Sequence, residues 1–137
     1  MNPTQHAKDD FELILNDIVP AVEVLLSKSK ELYPIAMAVK ADGELIAVGA
    51  QLNNEHPETQ EVIDDFVNIF SHNTQYRAVA IAFMGLDKKK DVLLIDFSHK
   101  DGSGMQFQLP YKFKGFKKKL EFGAPTFSAF DKVIDLS

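Results

Sequence analysis

The spacing of apolar residues changes along the chain, and this change most constrains what the chain can fold into. Between residues 9 and 30 the apolar residues recur at steps of three and four, which predicts an amphipathic helix. They are Phe11, Ile14, Leu15, Ile18, Val22, Leu25 and Leu26. Acidic side chains near the start of this segment and lysines near its end suit the helix dipole. Pro20 lies inside it and removes one backbone hydrogen bond, so we expect a kink or a restart there.

The next two apolar segments predict a β-hairpin. Residues 33–40 and 45–50 are β-prone, and the four residues between them read ADGE. An Asp-Gly pair between apolar segments is typical of a tight turn, so the two strands should be antiparallel.

The stretch QLNNEHPETQEVIDDF, residues 51–66, contains a histidine among several carboxylates. It is open to two interpretations, a metal or acid–base site at Glu55, His56 and Glu58, or the start of a helix. Pro57 fits the first helical position, with His56 as the N-cap. An apolar stripe at helical spacing follows, so these residues favour a helix start.

Three later segments alternate in the way that β-strands do. They read YRAVAIAFMGL, VLLIDFSHK and MQFQLPYKF, and the turns between them read DKKKD and DGSG. In the first segment the alternation places Arg77, Val79 and Ile81 on one face. Pro110 lacks a backbone donor, so the third segment is predicted to be an edge strand. Residues 120–137 give no firm assignment.

The order of elements is therefore helix, hairpin, helix and a three-stranded meander. It predicts an α+β fold: a mainly antiparallel sheet of about five strands with two helices packed on one face, a two-layer sandwich. The 137 residues suit one domain, and we take residues 1–137 as a single α+β domain.

Several of these blocks resemble a known family. YPIAMAVKADGELIAVGA, NNEHPETQEVIDDF, YRAVAIAF, LPYKFKG and LEFGAP are similar to the blocks of a family of small bacterial proteins without an assigned activity. The resemblance covers about residues 33–125. It implies the same α-ββ-α-βββ pattern and adds no activity.

Composition and motifs exclude several kinds of chemistry. The chain has no cysteine, which excludes disulfides, thiolate nucleophiles and Cys-ligated metal sites. The sequence contains no G-x-S-x-G elbow, no phosphate-binding glycine loop and no H-E-x-x-H motif. We therefore predict no catalytic residues, no metal site and no cofactor. With neither a signal peptide nor an apolar stretch long enough to span a membrane, the expected location is cytoplasmic and no membrane partner is expected.

The charge is unevenly distributed, which bears on partners. Residues 1–74 hold 4 Lys against 13 Asp or Glu, a net charge of −9, whereas residues 75–137 hold 11 Lys or Arg against 7 acids, a net charge of +4. Two surfaces of opposite sign favour a protein partner or a homodimer. Arg77 is the only arginine, which counts against nucleic-acid binding. The lysine-rich segment 112–119 is open to three interpretations: protection of an edge strand, binding of an acidic protein, or weak binding of single-stranded nucleic acid.

The function predicted from these features is a non-enzymatic protein-binding module of the bacterial cytosol, for example an immunity-type or regulatory partner. The candidate binding residues are Glu55, His56, Arg77, Asp96, Tyr111 and Lys112. Asp96 is expected either in solvent or half-buried and paired, with Arg77 as one candidate partner. The alternative function is a small hydrolase or ligand-binding domain with a pocket near Glu55, His56 and Asp96.

Overall fold

The structure is a computed structural model that describes residues 3–50, 58–72, 75–130 and 132–136. Its first element is a long helix, α1, Gln5–Ser29, which begins with Thr4 as its N-cap. The helix therefore begins four residues before the predicted start at residue 9. It continues through Pro20 as one element, so no restart occurs there.

The other elements follow the predicted order, with two additional strands at the end. They are β1, Ile35–Lys40; β2, Leu45–Val48; α2, Thr59–Ser71; β3, Tyr76–Asp87; β4, Lys90–His99; β5, Gly104–Lys114; β6, Lys119–Phe122; and β7, Thr126–Ala129. α2 begins at Thr59, and its N-cap is Glu58, two residues after His56, the N-cap predicted from the sequence. In the hairpin turn Gly43 has a φ of 94°, which explains the need for glycine there.

The strands form a seven-stranded sheet in the order β2-β1-β3-β4-β5-β6, with β7 also paired to β5. Every pairing is antiparallel. The α+β class and the antiparallel sheet are thus confirmed. Within the described residues the sheet has seven strands instead of about five, because β6 and β7 lie almost wholly in residues 120–137, which could not be firmly assigned from the sequence.

The two helices pack against different faces of the sheet, which differs from the predicted placement on one face. Phe11, Ile14 and Ile18 of α1 pack with Ala78 and Ala80 of β3 and with the inward residues of β4 and β5. Val62, Phe66 and Phe70 of α2 pack with Val79 and Ile81 of β3. Because successive side chains of a strand point to opposite faces, β3 is buried on both sides.

The chain end contributes to the core on the α2 face. Leu136 is buried there beside the α2 side chains, and Ile134 packs against the same cluster. The backbone N–H of Ile134 donates to the Ser98 hydroxyl at 3.0 Å.

The prediction that β5 is an edge strand is wrong. β5 has β4 on one side and β7 and β6 on the other. Pro110 is tolerated because it falls between the stretch paired with β7, which ends at Gln108, and the stretch paired with β6, which begins at Tyr111.

Within the part of the chain that the structure describes, neither helix is both long and apolar enough to cross a bilayer.

Candidate functional site

The start of α1 is attached to the turn between β4 and β5. The hydroxyl of Thr4 accepts from the Ala7 N–H at 3.1 Å, as an N-cap does, and donates to Asp101 at 2.6 Å. The backbone N–H of Thr4 donates to the Ser103 hydroxyl at 3.2 Å. These contacts bring the first turn of the helix close to His99 at the end of β4.

Asp10 is a carboxylate within the buried stripe of α1. It is 3% exposed and lies among Ala7, Phe11 and Ile14. A buried charge is costly unless it is paired and hydrogen-bonded, so this position requires partners from elsewhere in the fold.

Arg77 supplies the first partner through two bonds. Its Nε donates to Asp10 Oδ2 at 3.1 Å and its Nη2 donates to Asp10 Oδ1 at 2.9 Å. A bidentate contact of this kind orients the Asp10 carboxylate and stabilises its negative charge.

A β-bulge in β3 turns Arg77 toward α1. The register of β1 against β3 pairs Val39 with Ala78 and then Lys40 with Tyr76, so Arg77 is an extra residue. Tyr76 packs with the α2 core and Ala78 with the α1 core, although they are two residues apart. The prediction that Arg77 shares a face with Val79 is therefore wrong, because the bulge reverses the alternation at this point.

His99 supplies the second partner. It is 3% exposed, and its Nε2 lies 2.9 Å from Asp10 Oδ2. Its Nδ1 accepts from the Asp101 N–H at 3.2 Å, which makes Nε2 the protonated nitrogen that donates to Asp10. The ring also contacts His6, with the two ring centroids 5.1 Å apart.

These contacts change the acidity of two carboxyl groups. Burial works to raise the pKa of Asp10, but the hydrogen bonds from Arg77 and His99 and the charge of Arg77 outweigh it and hold that pKa below its usual value. Burial also works to raise the pKa of Asp101, whereas hydrogen bonds from Thr4 and Ser103 lower it to about 2. Both groups are therefore ionised at neutral pH.

The polar groups of the cluster are already hydrogen-bonded to protein partners. Both ring nitrogens of His99 are engaged, and the Ser98 and Ser103 hydroxyls each accept from a backbone N–H. A serine activated by a free imidazole is not assembled here. His6, Asp10 and His99 do bring two imidazoles and a carboxylate within 4.8 Å of one another, which are ligand types that transition metals use.

The structure separates the binding residues named from the sequence. Glu55 and His56 lie outside the described residues. Arg77 lies opposite the end of β4, beside Lys100. Its guanidinium bonds Asp10 on the α1 face, whereas Asp96 lies on the α2 face of β4. Arg77 and Asp96 therefore do not form one site.

Asp96 is half-buried and accepts a hydrogen bond from the Gln106 side chain at 2.6 Å. Gln106 in turn accepts from Gln108 at 3.0 Å. Burial raises the pKa of Asp96, while the Gln106 bond and the charge of Lys132 act to lower it. Asp96, Gln106 and Gln108 thus form a short row of hydrogen-bonded polar side chains across β4 and β5.

Tyr111 and Lys112 border a cavity of about 680 Å³ at the other end of the sheet, together with Lys89, Lys90 and Glu121. The Tyr111 hydroxyl points inward and donates to Met84 Sδ at 2.9 Å. Burial and the nearby Asp91 charge raise the pKa of Tyr111 to about 12. Lys112 is exposed, so it is the member of this pair that can meet a partner.

An apolar groove of about 610 Å³ runs between α1 and β7. Its floor and walls include Phe11 and Leu15 of α1, Met105 of β5 and Phe127 of β7, while Lys8 and Glu12 lie at its rim. Phe127 packs on Phe107 with ring centroids 5.1 Å apart, yet it remains 56% exposed. No residue of this groove is among the sequence-based site residues.

The sequence did contain signals for the residues that were missed. Asp10 falls at helical spacing from Ala7 and Ile14, so it interrupts an otherwise apolar stripe. His6 lies four residues before Asp10, on the same side of the helix. The sequence contained no such signal for Phe127, because its position beside the groove is set only by the pairing of β7 with β5.

Comparison with known proteins adds no relative: no protein-family model, no curated protein and no solved structure matches the chain.

Proposed function

We propose that this chain is a non-enzymatic protein-binding module of the bacterial cytosol, and that it binds its partner at the groove between α1 and β7. The observation that carries the proposal is Phe127, a large apolar side chain 56% exposed beside an apolar groove on an edge strand. Exposed apolar patches rimmed by polar residues are typical of interaction sites.

The edge of β7 supports the same proposal. All four of its residues are exposed, none of them is charged, and within the described residues the strand pairs only with β5. Proteins commonly guard such edges with lysine, proline or a covering segment. At the opposite edge of the sheet β2 is also uncharged, but most of its side chains are partly buried.

The partner that fits this surface is an extended protein segment. Its backbone would pair with the open edge of β7, and its alternate apolar side chains would enter the groove. Lys8 and Glu12 at the rim can each pair with an opposite charge on that segment.

Affinity capture with three forms of the full chain tests the proposal. Phe127→Asp places a charge in the groove, whereas Leu86→Asp places the same charge at another exposed apolar residue, which is 73% exposed. We expect wild type and Leu86→Asp to retain the same stoichiometric partner, and Phe127→Asp to lose it.

The purified partner then gives the quantitative measurement by calorimetry. Equal affinity for wild type and Phe127→Asp would refute the groove as the binding site. A chain that retains no partner and instead turns over a metabolite would support the alternative, a small hydrolase or ligand-binding domain.

A further inference from the structure

We propose that His6, Asp10 and His99 form a binding site for a divalent transition-metal ion of the zinc class. The ion would be held by two imidazoles and one carboxylate, at the side of the cluster where His6 is exposed. The site does not depend on the groove beside β7 or on the function proposed for that groove.

The distances between the ligand atoms fit such an ion. His99 Nε2 lies 2.9 Å from Asp10 Oδ2, and His6 Nε2 lies 3.8 Å from the same oxygen. A tetrahedral ion with bonds of about 2.0–2.1 Å separates its ligands by roughly 3.4 Å, which lies between these two values. One ligand atom from each of the three residues already lies within 4.8 Å of the others.

Two of the ligands are fixed and the third is free to adjust. The side chains of Asp10 and His99 are 5% and 3% exposed and are held by hydrogen bonds, whereas that of His6 is 63% exposed. Because His6 and Asp10 are four residues apart on α1, they lie on one face of the helix. A rotation of His6 brings its Nε2 closer, and the Asp10 and His99 ligand atoms, now 2.9 Å apart, would also separate slightly to admit the ion.

Asp101 provides the support that metal-bound histidines usually have. Its Oδ1 lies 3.2 Å from His99 Nδ1, and the carboxylate is itself held by the Thr4 hydroxyl and the Ser103 N–H. When the ion takes Nε2, the ring proton would lie on Nδ1 and form a hydrogen bond to Asp101 Oδ1, in place of the bond that Nδ1 now accepts from the Asp101 N–H. A carboxylate behind a ligating imidazole fixes the ring and raises its basicity.

Arg77 limits the affinity of this site for the metal ion. Its guanidinium neutralises much of the Asp10 charge while fixing the orientation of the carboxylate. We therefore expect micromolar affinity instead of the much tighter binding of a closed structural zinc site. Two imidazoles favour zinc, cobalt, nickel or copper over magnesium and calcium, which prefer oxygen ligands.

Titration of the tag-free full chain with zinc chloride tests the site. His6→Ala removes an exposed ligand and leaves the buried pair intact. His72→Ala is the matched control, because His72 is also exposed but lies at the end of α2. We expect one equivalent of zinc to bind wild type and His72→Ala alike, and His6→Ala to bind more than about tenfold more weakly.

Cobalt chloride gives a second measurement through its absorption spectrum. Wild type and His72→Ala should develop the intense visible bands of low-coordinate cobalt, and His6→Ala should not. Absence of saturable zinc binding to wild type, or equal binding by His6→Ala, would overturn the proposal. Magnesium binding as tight as zinc binding would overturn the assignment to imidazole ligands.

Discussion

At the residue scale, one carboxylate determines how the start of α1 meets the sheet. Asp10 is buried among apolar side chains and receives bonds from Arg77 and His99. Replacement of a buried pair by apolar residues is often tolerated, but removal of one partner leaves an uncompensated charge. The cluster is thus a specific requirement of this sequence, and its loss should be measurable.

Arg77→Met should destabilise the fold by about 2–3 kcal/mol, because it leaves the Asp10 carboxylate buried without its guanidinium. The range is set below the full cost of a deeply buried pair, since Arg77 is 28% exposed. Urea unfolding of Arg77→Met, Asp10→Asn and the double variant forms a double-mutant cycle. We expect a coupling of at least about 1 kcal/mol. Additive effects would show that the two side chains do not stabilise each other.

Asp96 gives a prediction with a pH dependence of defined sign. Burial raises its folded-state pKa, so between the unfolded and folded values the folded state binds more protons. Stability contributed by this group therefore falls as pH rises through the folded pKa. Asp96→Asn should be more stable than wild type at neutral pH, by less than about 1 kcal/mol. In urea unfolding that gain should vanish in acid, and a gain that persists below the unfolded pKa would contradict the argument.

At the element scale, the periods of the sequence predicted most of the architecture. The step of three and four residues located both helices, and the alternation located β1 to β5. What alternation could not show was the bulge at Arg77, which is visible only when β1 and β3 are aligned. The sequence also could not place each helix on its face. β3 is apolar on both sides, with Ala78 and Ala80 on one and Val79 and Ile81 on the other, so either face could receive a helix.

The interior proline of α1 gives a prediction for a whole element. Pro20 is exposed and leaves the Asn16 carbonyl without its usual helical donor. Pro20→Ala restores that donor, and we expect a gain of about 1–2 kcal/mol in urea unfolding, part of the roughly 3 kcal/mol by which proline lies below alanine in a helix interior. Glu23→Ala, an exposed change one turn later, is the control and should alter stability by less than about 0.5 kcal/mol. A loss of stability in Pro20→Ala would mean that α1 depends on the shape that proline imposes.

At the scale of the whole molecule, the candidate sites lie where the sequence alone could not assemble them. In the proposed metal site, His99 is 89 or more positions from each of the other two ligands. The groove depends on β7, a strand whose sequence shows no recognisable apolar alternation. Glu55 and His56 lie outside the described residues, but a helix does begin within their stretch, at Thr59, with Glu58 as its N-cap instead of His56. The charge difference between the two halves still favours a protein partner or self-association.

The sheet separates two hydrophobic cores and contributes side chains to both, and this affects how the protein unfolds. Ala78 and Ala80 belong to one interior, and their neighbours Val79 and Ile81 belong to the other. A strand that loosens on one side must also loosen on the other, so neither layer can melt alone. Heating should therefore give a single cooperative transition, with helix and strand signals lost together.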